Sequence, residues 1–253
     1  KHSVFSEPAC FERGLGADEW KASWIAEDTP PPADDEAFFR DRPAPLFRKE
    51  FTLAKPVRSA RAYVSGLGYA EFRLNGAKVG ARELDPAWTS YAKRVFYATY
   101  DVTALLHEGA NAAGAVVGNG WYNPLPMKMW GRFNLREALT VGTSRFLAQI
   151  EVVYDDGTKE QIVTDATWQS AASPIVRNSV YLGERYDARL ELPGWDTPGF
   201  DASTWKPAIL APAEPVLGAL EPQACPPIRV TDTLAAAAIT EPKPGVYLLD
   251  FGE

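Results

Sequence analysis

Four short stretches of this sequence carry side chains that could recognise a polyol. The densest is Gly118-Asn119-Gly120-Trp121-Tyr122-Asn123, which places two aromatics, two amides and flexible glycines at the end of an expected strand. Asp85 and Trp88 stand in LDPAWTSY (84–91), Trp130 in the loop 124–135, and Asn178, Glu184 and Asp187 in NSVYLGERYDAR (178–189). Aromatic faces suit the C–H faces of a pyranose ring, and amides and carboxylates hydrogen-bond its hydroxyls. Asp85, Trp88, Asn119, Trp121, Tyr122, Asn123 and Trp130 are therefore candidate carbohydrate contacts. Asn178, Glu184 and Asp187 are candidates for a ligand or a domain contact. Each single aromatic has the alternative of packing in the core or sealing a sheet edge. For the Asn119 to Asn123 group, binding and structural roles stand level, because two exposed amides gain nothing from core packing.

Glu184 and Asp187 also raise the question of glycoside hydrolysis, which needs two carboxylates facing each other across the bond, one with a pKa raised by burial. Residues three apart on a strand point to opposite faces, so this pair does not oppose itself locally. The competing expectation is that both carboxylates hold backbone amides and Arg185 or Arg189. Oxygens of this kind suit calcium, but no DxDxD-type spacing is present. No Walker loop, dinucleotide fingerprint, HExxH or GxSxG occurs, and Gly66, Gly68 and Gly76 read as turn chemistry.

The elements that must position these residues read as antiparallel strands. From 62 to 74 small and apolar residues alternate with polar ones and end at Asn75-Gly76, a signal for a tight hairpin turn into 77–81. RVFYATYD (94–101) has two faces that both ask to be covered. PLFRKEFTL (45–53) looks like the first sandwich strand, and 111–118 is a small-residue strand whose lack of bulk suggests close backbone packing. RFLAQIEVVY (145–154) alternates strongly and turns back at Asp155-Asp156-Gly157. FDASTW (200–205) reads as a closing turn in which the aspartate caps and the tryptophan seals. In the lead, Trp20 and Trp24 invite a sugar-stacking reading, but anchoring a lead-in strand is favoured. TPPPADDE (29–36) is a surface connector.

Composition bounds the rest. With 253 residues, 46% hydrophobic and 12% aromatic, the chain can fill a sizeable core. Its 19 glycines and 21 prolines suit many turns and short strands. A net charge of −7 without a basic cluster makes nucleic acid an unsuitable partner. Cys10 and Cys225 have no CxxC spacing, and neither they nor His2 and His107 indicate a disulfide framework or zinc site. No apolar run reaches the ~20 residues a membrane helix needs, so no membrane partner is expected. A signal peptide is expected to be absent or already removed. A periplasmic or secreted location is favoured over the cytoplasm.

Several blocks in fixed order carry a resemblance. YVSGLGYAEFRLNGAKVG (63–80), LDPAWTSYAKRVFYATYDVTALL (84–106) and EGANAAGAVVGNGWY (108–122) are followed by NSVYLGERYDAR, PGWDTPGFDASTW (193–205) and PPIRVTDTLAAAAITEPKPGVYLLDFG (226–252). Together, over roughly residues 45 to 253, they resemble the N-terminal β-sandwich region of bacterial α-L-rhamnosidases, glycoside hydrolase family 78. The resemblance implies an all-β, jelly-roll-like antiparallel β-sandwich of galactose-binding type. It also implies an inverting hydrolase acting on terminal α-L-rhamnose of glycosides, whose acid and base lie in a helical barrel further along the polypeptide. No catalytic residue is carried over to this segment, which is expected to be inactive alone. It either buttresses that barrel and contributes to substrate binding, or is an independent carbohydrate-binding module. Some rhamnose-binding modules that resemble this region use calcium, so calcium is possible although no cofactor is required. The expected organisation is a loop-rich lead (1–44), the sandwich (45–215), a linker (216–227) and the start of a following β domain (228–253), as if cut from a longer chain.

Overall fold

A computed structural model describes residues 11–252; His2, Cys10 and Glu253, noted above, lie outside the described residues. The architecture is the expected β-sandwich. The first sheet runs in the order Ile209–Leu210, Ile25–Ala26, Arg145–Tyr154, Val57–Leu67, Arg94–Asp101 and Ala219–Pro222, with Lys159–Val163 also paired to Arg145–Tyr154. The second runs Lys206–Pro207, Gln169–Ala172, Pro45–Leu53, Gly109–Gly118, Tyr69–Leu74 and Ala77–Lys78.

Period-two alternation sends one set of side chains between the sheets. Ala60, Ala62 and Val64 from one strand and Phe146, Ala148, Ile150 and Val152 from its neighbour meet Phe47, Phe72, Leu74, Ala113, Ala115 and Val117 from the opposite sheet. Phe146 is the hub, with ring centroids 6.2 Å from Phe47, 6.0 Å from Phe72 and 5.8 Å from Trp168. Burying such aromatics is worth roughly 1.5–3 kcal/mol each. The Asn75-Gly76 turn forms as expected, with φ of 50° and 85°, the left-handed conformation a primed turn requires.

The outer faces are covered too. Trp20 packs edge-on against Tyr97 at 5.2 Å and Tyr63 at 6.3 Å, and Trp24 lies against the cluster of Leu67, Tyr91, Val95 and Tyr122. The paired tryptophans are thus anchors for the lead. On the second sheet Gly114 has no Cβ because Trp195 lies there: an added Cβ would sit 2.5 Å from the indole. Trp195 in turn stacks on Trp205 at 6.2 Å, and Asp201 accepts the Ser203 amide at 3.0 Å, the capping read from FDASTW.

Two expected boundaries change. The lead contributes the strand Ile25–Ala26, paired antiparallel with Arg145–Phe146, so the sandwich begins before residue 45. Residues 216–227 are not a free linker, because Ala219–Pro222 adds to the first sheet, parallel to Arg94–Asp101. Proline masked that strand, which tolerates Pro222 because it is an edge. Beyond it, Ala238–Lys243 and Val246–Asp250 form a separate hairpin exposed on both faces.

Candidate functional site

The strand Gly109–Gly118 ends in the loop carrying Asn119 to Asn123, and the hairpin of Ile175–Ser179 and Gly183–Tyr186 is laid over it. Two amides make the join. Asn178 Oδ1 accepts the Asn119 backbone N–H at 2.6 Å, and Asn119 Nδ2 donates to the Asn178 carbonyl at 2.9 Å. The relay continues inward: Asn123 Nδ2 donates to Asn119 Oδ1 at 2.9 Å, and Arg136 donates to Asn123 Oδ1 at 2.9 Å. Arg136 also lies over the Phe38 ring at 4.1 Å, and burial pulls its pKa below the usual arginine range.

Glycines permit the loop's path. A Cβ on Gly68 would fall 2.2 Å from the Asn119 carbonyl oxygen, and one on Gly120, which has φ of 48°, 2.9 Å from Gly68 Cα. Backbone meets backbone at this point, which fixes where Trp121 emerges. Its indole stacks on Trp88 with centroids 5.0 Å apart and meets Tyr181 edge-on at 5.6 Å. The loops that carry Trp88 and Trp121 are 33 residues apart in sequence (121 − 88) and are brought together by the sandwich.

Between the hairpin and the outer face of the second sheet lies an open cleft of about 650 Å³, lined by Tyr69, Lys78, Arg82, Trp121, Asn178 and Glu184 among others. Its floor is made of Val116, Gly118 and Gly120. Of the charges along the wall, Lys78 bridges Glu83 at 2.7 Å and Glu71 at 3.5 Å; outside the cleft, Arg73 bridges Glu71 at 2.8 Å and Asp196 at 2.6 Å. Burial opposes the charge on Arg73, but Asp196 and Glu71 outweigh it and raise its pKa. Glu184 is exposed and has no ion-pair partner among the described residues.

The candidates therefore divide. Trp88, 45% exposed, and Trp121, Asn178 and Glu184 gather at the cleft. Asn119 and Asn123 stand behind it, their amides joined to each other and to Asn178 and Arg136. Asp85 faces inward, 6% exposed, accepting the Tyr100 hydroxyl at 2.8 Å with Arg82 at 3.7 Å; burial raises its pKa against both partners. Proline at 86 suggested a displayed loop, but the loop turns this carboxylate under itself. Tyr122 is fully buried against Tyr91 at 5.4 Å, because its neighbour Trp121 takes the outward direction. Neither presents atoms to a ligand in the cleft. Trp130 is 87% exposed at φ 49° on a separate small hairpin. Asp187 is held by Arg189, at 2.8 Å to Nε, and caps its backbone N–H at 3.1 Å; the Arg189 hydrogen bonds lower its pKa to about 2. Arg185 pairs instead with Asp41, at 2.8 Å. Sequence reading missed Lys78, Arg82 and Tyr69 as wall residues, since nothing in their own spacing marks the sheet's outer face as roofed.

Asp187 is ionised far below neutral pH, the opposite of what a general acid requires. Among the described residues no three His, Cys, Asp or Glu side chains come together as a metal site needs, and Asp85 and Asp187 already have partners. No described helix is long and apolar enough to cross a membrane.

The comparisons agree with this architecture. A family model for the alpha-L-rhamnosidase N-terminal domain matches residues 55–232. An alpha-L-rhamnosidase of Streptomyces avermitilis is 44% identical over 209 residues, covering 81% of this chain and 19% of the relative. The crystal structure of the Streptomyces avermitilis enzyme complexed with L-rhamnose superposes with a TM-score of 0.73 at 40% identity, over 83% of this chain and 20% of that one. The native enzyme of Aspergillus terreus gives a TM-score of 0.79 at 35% identity, over 94% and 26%. The chain spans between 19% and 28% of the length of the curated relatives it matches. A sandwich of this topology, matched in sequence over most of its length, belongs to the alpha-L-rhamnosidase N-terminal domain family.

Proposed function

We propose that this chain is the N-terminal accessory portion of an inverting α-L-rhamnosidase, and that its cleft holds the rhamnosyl part of a glycoside for a catalytic barrel in the same polypeptide. The observation that carries the reading is the convergence of Trp121, Asn178 and Glu184 in one open cleft, backed by the exposed Trp88 indole. An apolar ring face can lie on the indoles while hydroxyls meet the amide, the carboxylate and the cations of Lys78 and Arg82. Asn178 lines the cleft, and its Nδ2 is buried without a protein partner, so it meets a sugar oxygen only if the amide turns toward the cleft.

On this reading hydrolysis belongs to the barrel and not to this chain. Asp187 is tied to Arg189 and Glu184 is exposed, so these two do not form a buried acid facing a base across a bond. Calorimetric titration with L-rhamnose, with and without calcium, tests the recognition reading. Heat that is lost in Trp121→Ala supports it, and silence at millimolar sugar with a folded protein refutes it. The purified chain is expected to release no 4-nitrophenol from 4-nitrophenyl α-L-rhamnoside.

A second reading, a scaffold that buttresses the barrel, draws on Tyr181 and Leu182 at the hairpin tip, the latter 58% exposed, and on the exposed Val246–Asp250 hairpin. The same hairpin suits the start of a following β domain.

A further inference from the structure

Away from the cleft, the first sheet buries a cation without a counter-charge. Arg145 opens the strand Arg145–Tyr154 and is 3% exposed. Its Nη2 donates to the Glu214 carbonyl and its guanidinium lies 5.7 Å from the Tyr122 ring centroid, while Nε has no partner. No carboxylate among the described residues lies within ion-pair distance of it. Burying an isolated cation is strongly unfavourable unless something neutralises it.

The ring that faces Arg145 has the matching deficiency. Tyr122 is 0% exposed and its hydroxyl is also without a partner. Gly142 closes over that hydroxyl, where an added Cβ would lie 2.6 Å away. Burial raises the phenol's pKa, Arg145 lowering it only in part, so the group is an O–H donor at neutral pH. The surroundings are apolar: Leu67, Tyr91 and Val95, with Trp24, Leu217 and Leu220 partly buried against them. Two buried donors, one of them cationic, beside apolar walls are the chemistry of a small monovalent anion.

The geometry points to an internal halide site in which a chloride-sized anion accepts from Arg145 Nε–H and Tyr122 Oη–H and neutralises the guanidinium. Because Arg145 also holds the Glu214 carbonyl, the anion secures the segment that delivers the edge strand Ala219–Pro222.

The test is thermal unfolding of the chain in chloride and in gluconate at one ionic strength. Chloride at ten times its dissociation constant raises Tm by about 3–6 °C relative to gluconate. Tyr122→Phe, which keeps the ring and its packing, loses at least half of that difference, and Arg145→Met loses all of it. Crystals grown in bromide show an anomalous peak between the two side chains. Equal Tm values in the two salts, an undiminished chloride effect in Tyr122→Phe, or a water without anomalous signal at that position overturns the assignment. Should Arg145→Met not fold, Tyr122→Phe and the bromide map still decide.

Discussion

Replacing Asn119 by alanine is the sharpest perturbation of the loop that carries Trp121. The substitution removes two side-chain hydrogen bonds, Nδ2 to the Asn178 carbonyl at 2.9 Å and Oδ1 from Asn123 Nδ2 at 2.9 Å. It leaves two that use the Asn119 main chain: N–H to Asn178 Oδ1 at 2.6 Å, and the carbonyl accepting the Asn123 N–H at 3.0 Å. At about 1 kcal/mol net per bond, with an added cost for part-buried groups left unpaired, the loss is about 2–3 kcal/mol. Asn178→Ala removes the reciprocal bond and strands the Asn119 N–H, for about 1–3 kcal/mol. Each of these side chains bonds the other's main chain, and both bonds hold the same hairpin to the loop, so the two substitutions couple by about 0.5–3 kcal/mol. Asn119 and Asn123 share a side-chain to side-chain bond, so that pair couples by about 1 kcal/mol. Urea unfolding of the single and double variants, compared at constant m, supplies both cycles. Additivity in both cycles would refute the reasoning.

Three further expectations concern the same surroundings. Gly68→Ala drives a methyl to 2.2 Å from the Asn119 carbonyl oxygen and destabilises by about 2–4 kcal/mol, read as a fall in Tm. Asp85 has a folded pKa raised by burial, so its contribution to stability is fully present below its unfolded value of 3.8 and is lost as pH rises through the folded value; the stability of Asp85→Asn relative to the parent therefore falls as urea titrations move from pH 7 toward 3.8. Asp187 is depressed to about 2 by Arg189, so its contribution persists above the unfolded range and fades only as pH falls through about 2; Asp187→Asn removes that acid dependence without changing rhamnose binding.

Much of the frame was legible because it rests on local signals. Asn75-Gly76 and Asp155-Asp156-Gly157 turned hairpins as their φ requirements dictate, and the alternation of 145–154 placed Phe146, Ala148, Ile150 and Val152 in the core. The small-residue strand suggested close backbone packing; at Gly114 the close neighbour is instead the Trp195 ring. Non-local pairings were not legible: Ala219–Pro222 reads as linker because prolines flank it, and only its parallel partner Arg94–Asp101 makes it a strand. For the site, residue type marked the 119–123 group but not the direction of its side chains. Trp121 and Tyr122 are neighbours of similar composition, and the backbone contact between Gly68 and Gly120 sends the first outward and the second into the core. Asp85 looked displayed until Tyr100, fifteen residues on, claimed its carboxylate.

The most direct measurement of the central claim is a ¹H–¹⁵N spectrum of the chain titrated with L-rhamnose. The account predicts saturable shifts of the Trp88 and Trp121 indole N–H signals and of the Asn178 side-chain amide, with the buried Trp168 indole unmoved. Uniformly unchanged spectra at tens of millimolar sugar, or shifts confined to residues away from the cleft, would contradict it.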